Sequence, residues 1–118
     1  MRGVILALLL VASGKASADT FQLRLGDTAH AFALADAARV TVARDGPVEV
    51  CMDEAGEAWL TKATSANVGE VLTVGFAGEP VTDPIIRSPI YGGCLYFQFP
   101  VPKRLREALL GWIGERMD

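Results

Sequence analysis

The stretch that most restricts how this chain can fold runs from Thr64 to Gly93, because glycines and prolines divide it at short intervals. Asn67-Val68-Gly69 has the residues of a helix end, where glycine adopts positive φ at little cost. Val71 to Phe76 is short, apolar and β-branched, which predicts a strand covered on both faces. Ala77-Gly78-Glu79-Pro80 is turn chemistry. Pro80, Pro84 and Pro89 then remove backbone donors that a central strand needs. The segment up to Gly92-Gly93 is therefore expected at a sheet edge or as a stiff, irregular arm.

At 118 residues the chain has room for one domain, and its first 18 residues read as something else. Arg2 supplies a positive start, Val4 to Ala12 is an unbroken apolar run, and Ala16-Ser17-Ala18 is a small-x-small cleavage signal. These features predict a signal peptide over 1–18, cut between Ala18 and Asp19, and a periplasmic domain over 19–118. The apolar run is shorter than the roughly 20 residues that span a bilayer. A retained N-terminal anchor is the alternative. Removing Arg2 and Lys15 leaves 9 basic residues against 14 acidic ones, a net charge of −5. Nothing forms a basic stripe, so nucleic acid is not an expected partner.

Within the mature segment, Phe21 to Leu25 alternates as a half-buried strand does. The alanine-rich run Ala29 to Ala38 reads as a loop with some helix. Ala38–Ala43 and Val48–Asp53 flank the turn residues Arg44-Asp45-Gly46-Pro47 and predict a β-hairpin. Asp53 suits a helix N-cap, with Glu54 and Glu57 in the first turn. Ala55, Ala58, Trp59, Lys62, Ala63 and Ala66 follow at helical spacing, with Trp59 as the large core anchor. Leu95, Phe97 and Phe99 share one strand face, and Cys94, Tyr96 and Gln98 the other. After Pro100 and Pro102, Leu105, Ala108, Leu109, Trp112 and Ile113 form an apolar helical stripe, with Trp112 as its anchor.

This order predicts an α+β fold of the split βαβ, ferredoxin-like type: an antiparallel sheet with two helices packed on one face, plus an N-terminal strand and hairpin. In that layout Val48–Asp53 and Val71–Phe76 run parallel, with the Cys94 strand between them. The end of the first strand then adjoins the start of the last, and by parity Cys51 and Cys94 point to the same face. Their separation of 43 residues excludes Cys-x-x-Cys chemistry. A structural disulfide follows, stabilising by roughly 3–4 kcal/mol through loop closure; two free thiols are the alternative.

Thr64, Asn67, Gly69, Gly78, Pro84-Ile85-Ile86, Ile90 and Gly92-Gly93 also occur in an order that resembles the head subdomain of the first periplasmic domain of SecD, the accessory subunit of the bacterial Sec protein-export machinery. The resemblance spans about Phe21 to Ile113 and is sharpest between Val48 and Gly93. It implies an α+β head that engages polypeptide emerging from the translocation channel. The chain departs from that family at Phe99-Pro100-Val101-Pro102 and in its cysteine pair.

Catalysis needs a constellation, and the residues for one are hard to assemble. His30 is the one histidine and has no fixed partner in sequence, so it reads as a surface residue. The chain has no Gly-x-Ser-x-Gly, phosphate loop or His-Glu-x-x-His. Asp53, Glu54 and Glu57 are explained by a helix N-terminus. The expectation is a non-enzymatic module with no cofactor or metal. Ile85, Ile86, Ile90 and Tyr91 form its candidate binding surface, and Asn67, Gly69, Gly78, Gly92 and Gly93 its structural turns. The partner expected is a polypeptide or an envelope protein complex; an enzyme inhibitor or structural accessory protein is the alternative.

Overall fold

A computed structural model describes residues 19–43, 47–98 and 101–117. The signal-peptide reading of 1–18, most of the Arg44–Pro47 turn and Phe99 lie outside these residues. In chain order the elements are β1 (Thr20–Leu25), β2 (Thr28–Ala33), a 3₁₀ turn (Leu34–Asp36), β3 (Arg39–Val42), β4 (Val48–Cys51), α1 (Glu54–Ala66), β5 (Leu72–Phe76), β6 (Glu79–Thr82), β7 (Cys94–Phe97) and α2 (Lys103–Met117). The fold is α+β, with antiparallel pairing between the strands and two helices, as the sequence implies.

The sheet arrangement differs from the expected one. The strands form two sheets, ordered β2-β1-β5-β6 and β3-β4-β7. β5 does not join β4 and β7. It pairs antiparallel with the N-terminal strand β1, opposing Phe76 to Phe21 and Leu72 to Leu25. β5 is also covered on one face only: Leu72, Val74 and Phe76 are buried while Thr73 is exposed. Its period-2 pattern therefore matches that of β1, which buries Phe21, Leu23 and Leu25. The expected loop after Gly26 is instead β2, whose outward positions are alanines and whose inward side carries His30 and Phe32. The expected hairpin is present, with Val40 opposite Val50 and Thr41 opposite Glu49.

One hydrophobic cluster unites both sheets and both helices. Phe21 lies at its centre, with ring centroids 4.9 Å from Phe32, 4.8 Å from Phe76 and 6.0 Å from Phe97. The first two contacts stay within the larger sheet; the third crosses to the smaller one. α1 contributes Leu60, Ala63 and the fully buried Thr64. Its buried side is thus rotated from the expected stripe, because Ala55, Ala58 and Ala66 are exposed, while Lys62 is exposed as its place at the stripe's edge implies. Asp53 caps the helix as expected, its Oδ1 accepting from the Gly56 amide at 3.0 Å. α2 buries Leu105 and Leu109. Trp59 and Trp112 are half-buried residues packed against the core, whereas the large, fully buried side chains are Phe21, Phe76 and Phe97.

Truncation of a ring with three aromatic neighbours leaves a cavity that two sheets share. Phe21→Ala should cost about 3–5 kcal/mol, read as a lowered denaturant midpoint in the disulfide-bonded protein.

Candidate functional site: a cleft at a free strand edge

The arm from Asp83 to Tyr91 is positioned by the end of α1. The Thr64 hydroxyl donates to the Leu60 carbonyl at 2.7 Å and accepts from the Ile90 amide at 2.8 Å. Thr61 Oγ1 donates to the Ile90 carbonyl at 3.2 Å, so two threonines one turn apart hold both backbone groups of Ile90. Past the helix, Gly69 N donates to the Ile86 carbonyl at 2.7 Å and Ile86 N to the Glu70 carbonyl at 2.9 Å. The arm is thus stitched to the helix end, and this settles where its isoleucines point.

Ile86 is 4% exposed and belongs to the core, so it is removed from the candidate surface. Ile90 is half-buried and packs against the same core. Ile85 and Tyr91 are outward, at 52% and 72% exposure. Asn67, Gly69, Gly78, Gly92 and Gly93 serve this scaffold. Asn67 donates its amide to the Ala63 carbonyl at 2.8 Å. All four glycines adopt positive φ. Gly93 is the most constrained: a Cβ there would lie 2.9 Å from the Glu57 Cα, where no side chain fits.

Between this arm and β7 opens a cleft of about 380 Å³, with Pro84, Ile90 and Tyr91 on one wall and Cys94, Tyr96 and Phe97 on the other. A larger hollow of about 570 Å³ lies over the outer face of the four-stranded sheet, where Ala29, Ala31 and Gly75 simply leave space. The cleft has the richer chemistry. β7 pairs with β4 alone among the described strands. The Met52 amide donates to the Gly93 carbonyl at 2.9 Å, which makes 52–93 a hydrogen-bonded pair. Antiparallel alternation then makes Cys51–Cys94 and Glu49–Tyr96 non-hydrogen-bonded pairs. The Cα separation of 4.0 Å at Cys51–Cys94 fits that assignment. The backbone N–H and C=O groups of Cys94 and Tyr96 therefore point away from β4.

Cys51 and Cys94 form the expected disulfide on the face of the small sheet opposite the core. They are brought together by the expected β4–β7 adjacency, although β3 rather than β5 completes the sheet. Beside them, the Arg39 guanidinium lies 3.5 Å from the Glu49 carboxylate and donates to Cys51 Sγ at 3.5 Å. Glu49, Cys51 and Cys94 bring their ligand atoms within 4.8 Å of one another, but the two sulfurs are bonded to each other and offer no thiolates in this state. Tyr96 completes the row: the neighbouring Glu49 carboxylate, first as a hydrogen-bond acceptor for the phenol and then through its charge, raises the Tyr96 pKa against a smaller opposing effect of Arg39.

His30 lies elsewhere. It is stacked on Trp59 at 5.4 Å rather than free on a surface loop, and the Trp59 indole donates to Thr28 Oγ1 at 2.9 Å. The sequence reading missed the role of Thr61 and the Arg39–Glu49–Tyr96 row. The parity of Glu49 with Cys51 and of Tyr96 with Cys94 was the available signal for the row. No family model, curated protein or solved structure matches the chain.

Two outcomes follow for this site. Thr64→Val should cost about 1–3 kcal/mol, since it leaves the Ile90 amide without its acceptor, whereas Thr64→Ser should recover most of that loss; chemical denaturation measures both. The raised Tyr96 pKa means that the Glu49 contact contributes fully below the ordinary phenol value of 10.0 and is lost as pH rises through the folded-state value. In a Tyr91→Phe background, Glu49→Gln should shift the phenolate absorbance titration to lower pH.

Proposed function

We propose that the mature domain is an exported, non-catalytic binding module of the SecD-head kind, which takes up an extended polypeptide segment by strand addition along β7. The observation that carries this reading is the open edge of β7. Edge strands invite pairing unless they are blunted. β6 carries Glu79 and Pro80 and leads to Pro84, while β2 and β3 each lie against a helix. β7 has no proline or charge between Cys94 and Gln98, and its outward amides face a cleft rimmed by Tyr91 and Tyr96. Main-chain pairing would supply affinity without demanding a particular sequence, and the tyrosines would supply apolar contact area with a polar tip. Such chemistry suits an unfolded client. Export and a periplasmic location are part of the proposal. They are supported by the N-terminal signal pattern, by the disulfide, and by the observation that no described helix is long and apolar enough to cross a membrane.

The test uses a reduced, carboxymethylated secreted protein that stays unfolded in buffer. Its binding should slow amide hydrogen exchange at Cys94 and Tyr96. Tyr96→Pro removes an N–H that β4 does not use, and should weaken binding at least about tenfold while the β4–β7 pairing persists. Protection appearing elsewhere, or equal binding by the proline variant, would overturn the assignment. Capture of a folded enzyme with no affinity for the unfolded chain would favour the inhibitor alternative.

A further inference from the structure

The disulfide is asymmetric in a way that a purely structural staple does not require. Cys51 is 6% exposed, whereas Cys94 is half-buried and lines the open cleft. The Arg39 guanidinium contacts the buried sulfur, Cys51 Sγ, at 3.5 Å. The sulfur a nucleophile can reach and the sulfur placed to leave as an anion are therefore different atoms. Thiol–disulfide exchange needs an accessible sulfur to attack and a leaving thiolate of low basicity.

We propose that Cys51–Cys94 is a thiol–disulfide exchange site that accepts an external thiolate at Cys94. The incoming sulfur bonds to Cys94 Sγ as the Cys94–Cys51 bond breaks. The electron pair of that bond goes to Cys51 Sγ, which departs as a thiolate beside Arg39. The product is a mixed disulfide on Cys94. A second thiol on the incoming molecule then attacks its own sulfur in the mixed disulfide and expels the Cys94 thiolate. The protein disulfide gains two electrons and, after protonation of both sulfurs, two protons; the incoming dithiol becomes a disulfide. Glu49 works against the leaving thiolate, since its carboxylate lies within 4.8 Å of both sulfurs, but it is already paired with Arg39 at 3.5 Å. The guanidinium is thus shared between the carboxylate and the departing sulfur.

A monothiol and a dithiol differ in outcome. After monothiol attack Cys51 faces the mixed disulfide across one strand pair and re-closes the bond. A dithiol carries the reaction through.

The experiment follows opening of the oxidised protein by dithiothreitol and by glutathione under native conditions, by mass spectrometry after thiol trapping, with near-ultraviolet circular dichroism reporting the fold. Dithiothreitol should open the bond at a rate first-order in thiol while the fold is retained, and glutathione should leave little reduced protein. Cys51→Ser, with Cys94 free, should form a mixed disulfide with oxidised glutathione in the folded state. Cys94→Ser, with Cys51 free, should not. Arg39→Leu should slow opening by dithiothreitol about fivefold, with Arg39→Lys restoring most of the rate and with all rates converging in denaturant. Opening at a rate independent of thiol concentration and equal to the unfolding rate would overturn the proposal. So would equal labelling of Cys51 and Cys94 in the folded single variants. None of these measurements involves a polypeptide client, so failure here is separable from failure of the strand-addition reading.

Discussion

Phe21 holds the two sheets to one another. Its ring meets Phe32 and Phe76 within the four-stranded sheet and Phe97 on the last strand of the other. Offset and tilted aromatic contacts of this kind add to the area each ring buries. Phe21 stands on β1, one of the two interior strands of the larger sheet. β1 pairs with β2 over all six of its residues on one side and with β5 from Phe21 to Leu25 on the other. A domain of about 100 residues buries only about two-thirds of its chain surface, so one shared aromatic centre weighs heavily in its stability.

That centrality explains why part of the fold was legible in sequence and part was not. Asp53, the β3–β4 hairpin and the α2 stripe are local: each signal lies within a few residues of the element it forms, and each is present in the structure. The partner of β5 is a long-range choice. Leu72, Val74 and Phe76 match Phe21, Leu23 and Leu25 as half-buried alternators, yet an apolar run of that length also reads as a strand buried on both faces. β2 was hidden for a different reason. Its outward positions are Ala29, Ala31 and Ala33, and alanine carries helix propensity rather than strand propensity, so only His30 and Phe32 marked the inward side. α1 shows the same effect, since an alanine-rich helix has little direction and Leu60 outweighs the alanines once the core forms.

The candidate site was legible as a segment and not as a surface. The prolines correctly placed the arm at an edge, but the isoleucines on it divide between core and solvent according to hydrogen bonds made by Thr64, Thr61 and Gly69. A buried hydroxyl that both donates and accepts is a positional device, and its acceptor role belongs to a residue 26 positions away. Sequence spacing within the arm carries no trace of that partner. The Arg39–Glu49–Tyr96 row was nearer to hand, because strand parity alone puts Glu49 beside Cys51 and Tyr96 beside Cys94 once β4 and β7 are known to adjoin.

The two walls of the cleft are fixed by different means. One wall is the arm, tied to α1 through Ile90 and to the start of β5 through the hydrogen bonds of Leu72 with Pro84 and of Glu70 with Ile86. The other is β7, tied to β4 by its ladder and by a covalent bond at the first residue of the strand. An edge strand left open is an aggregation hazard in proportion to its length and flatness. Here the exposed edge spans four residues, the disulfide prevents it from peeling away, and the arm limits what can approach. The same restraints lower the ordering cost of pairing with an incoming strand, because β7 already holds its extended conformation. If the strand-addition proposal holds, protection of the edge against self-pairing and its readiness for an incoming segment come from the same few contacts.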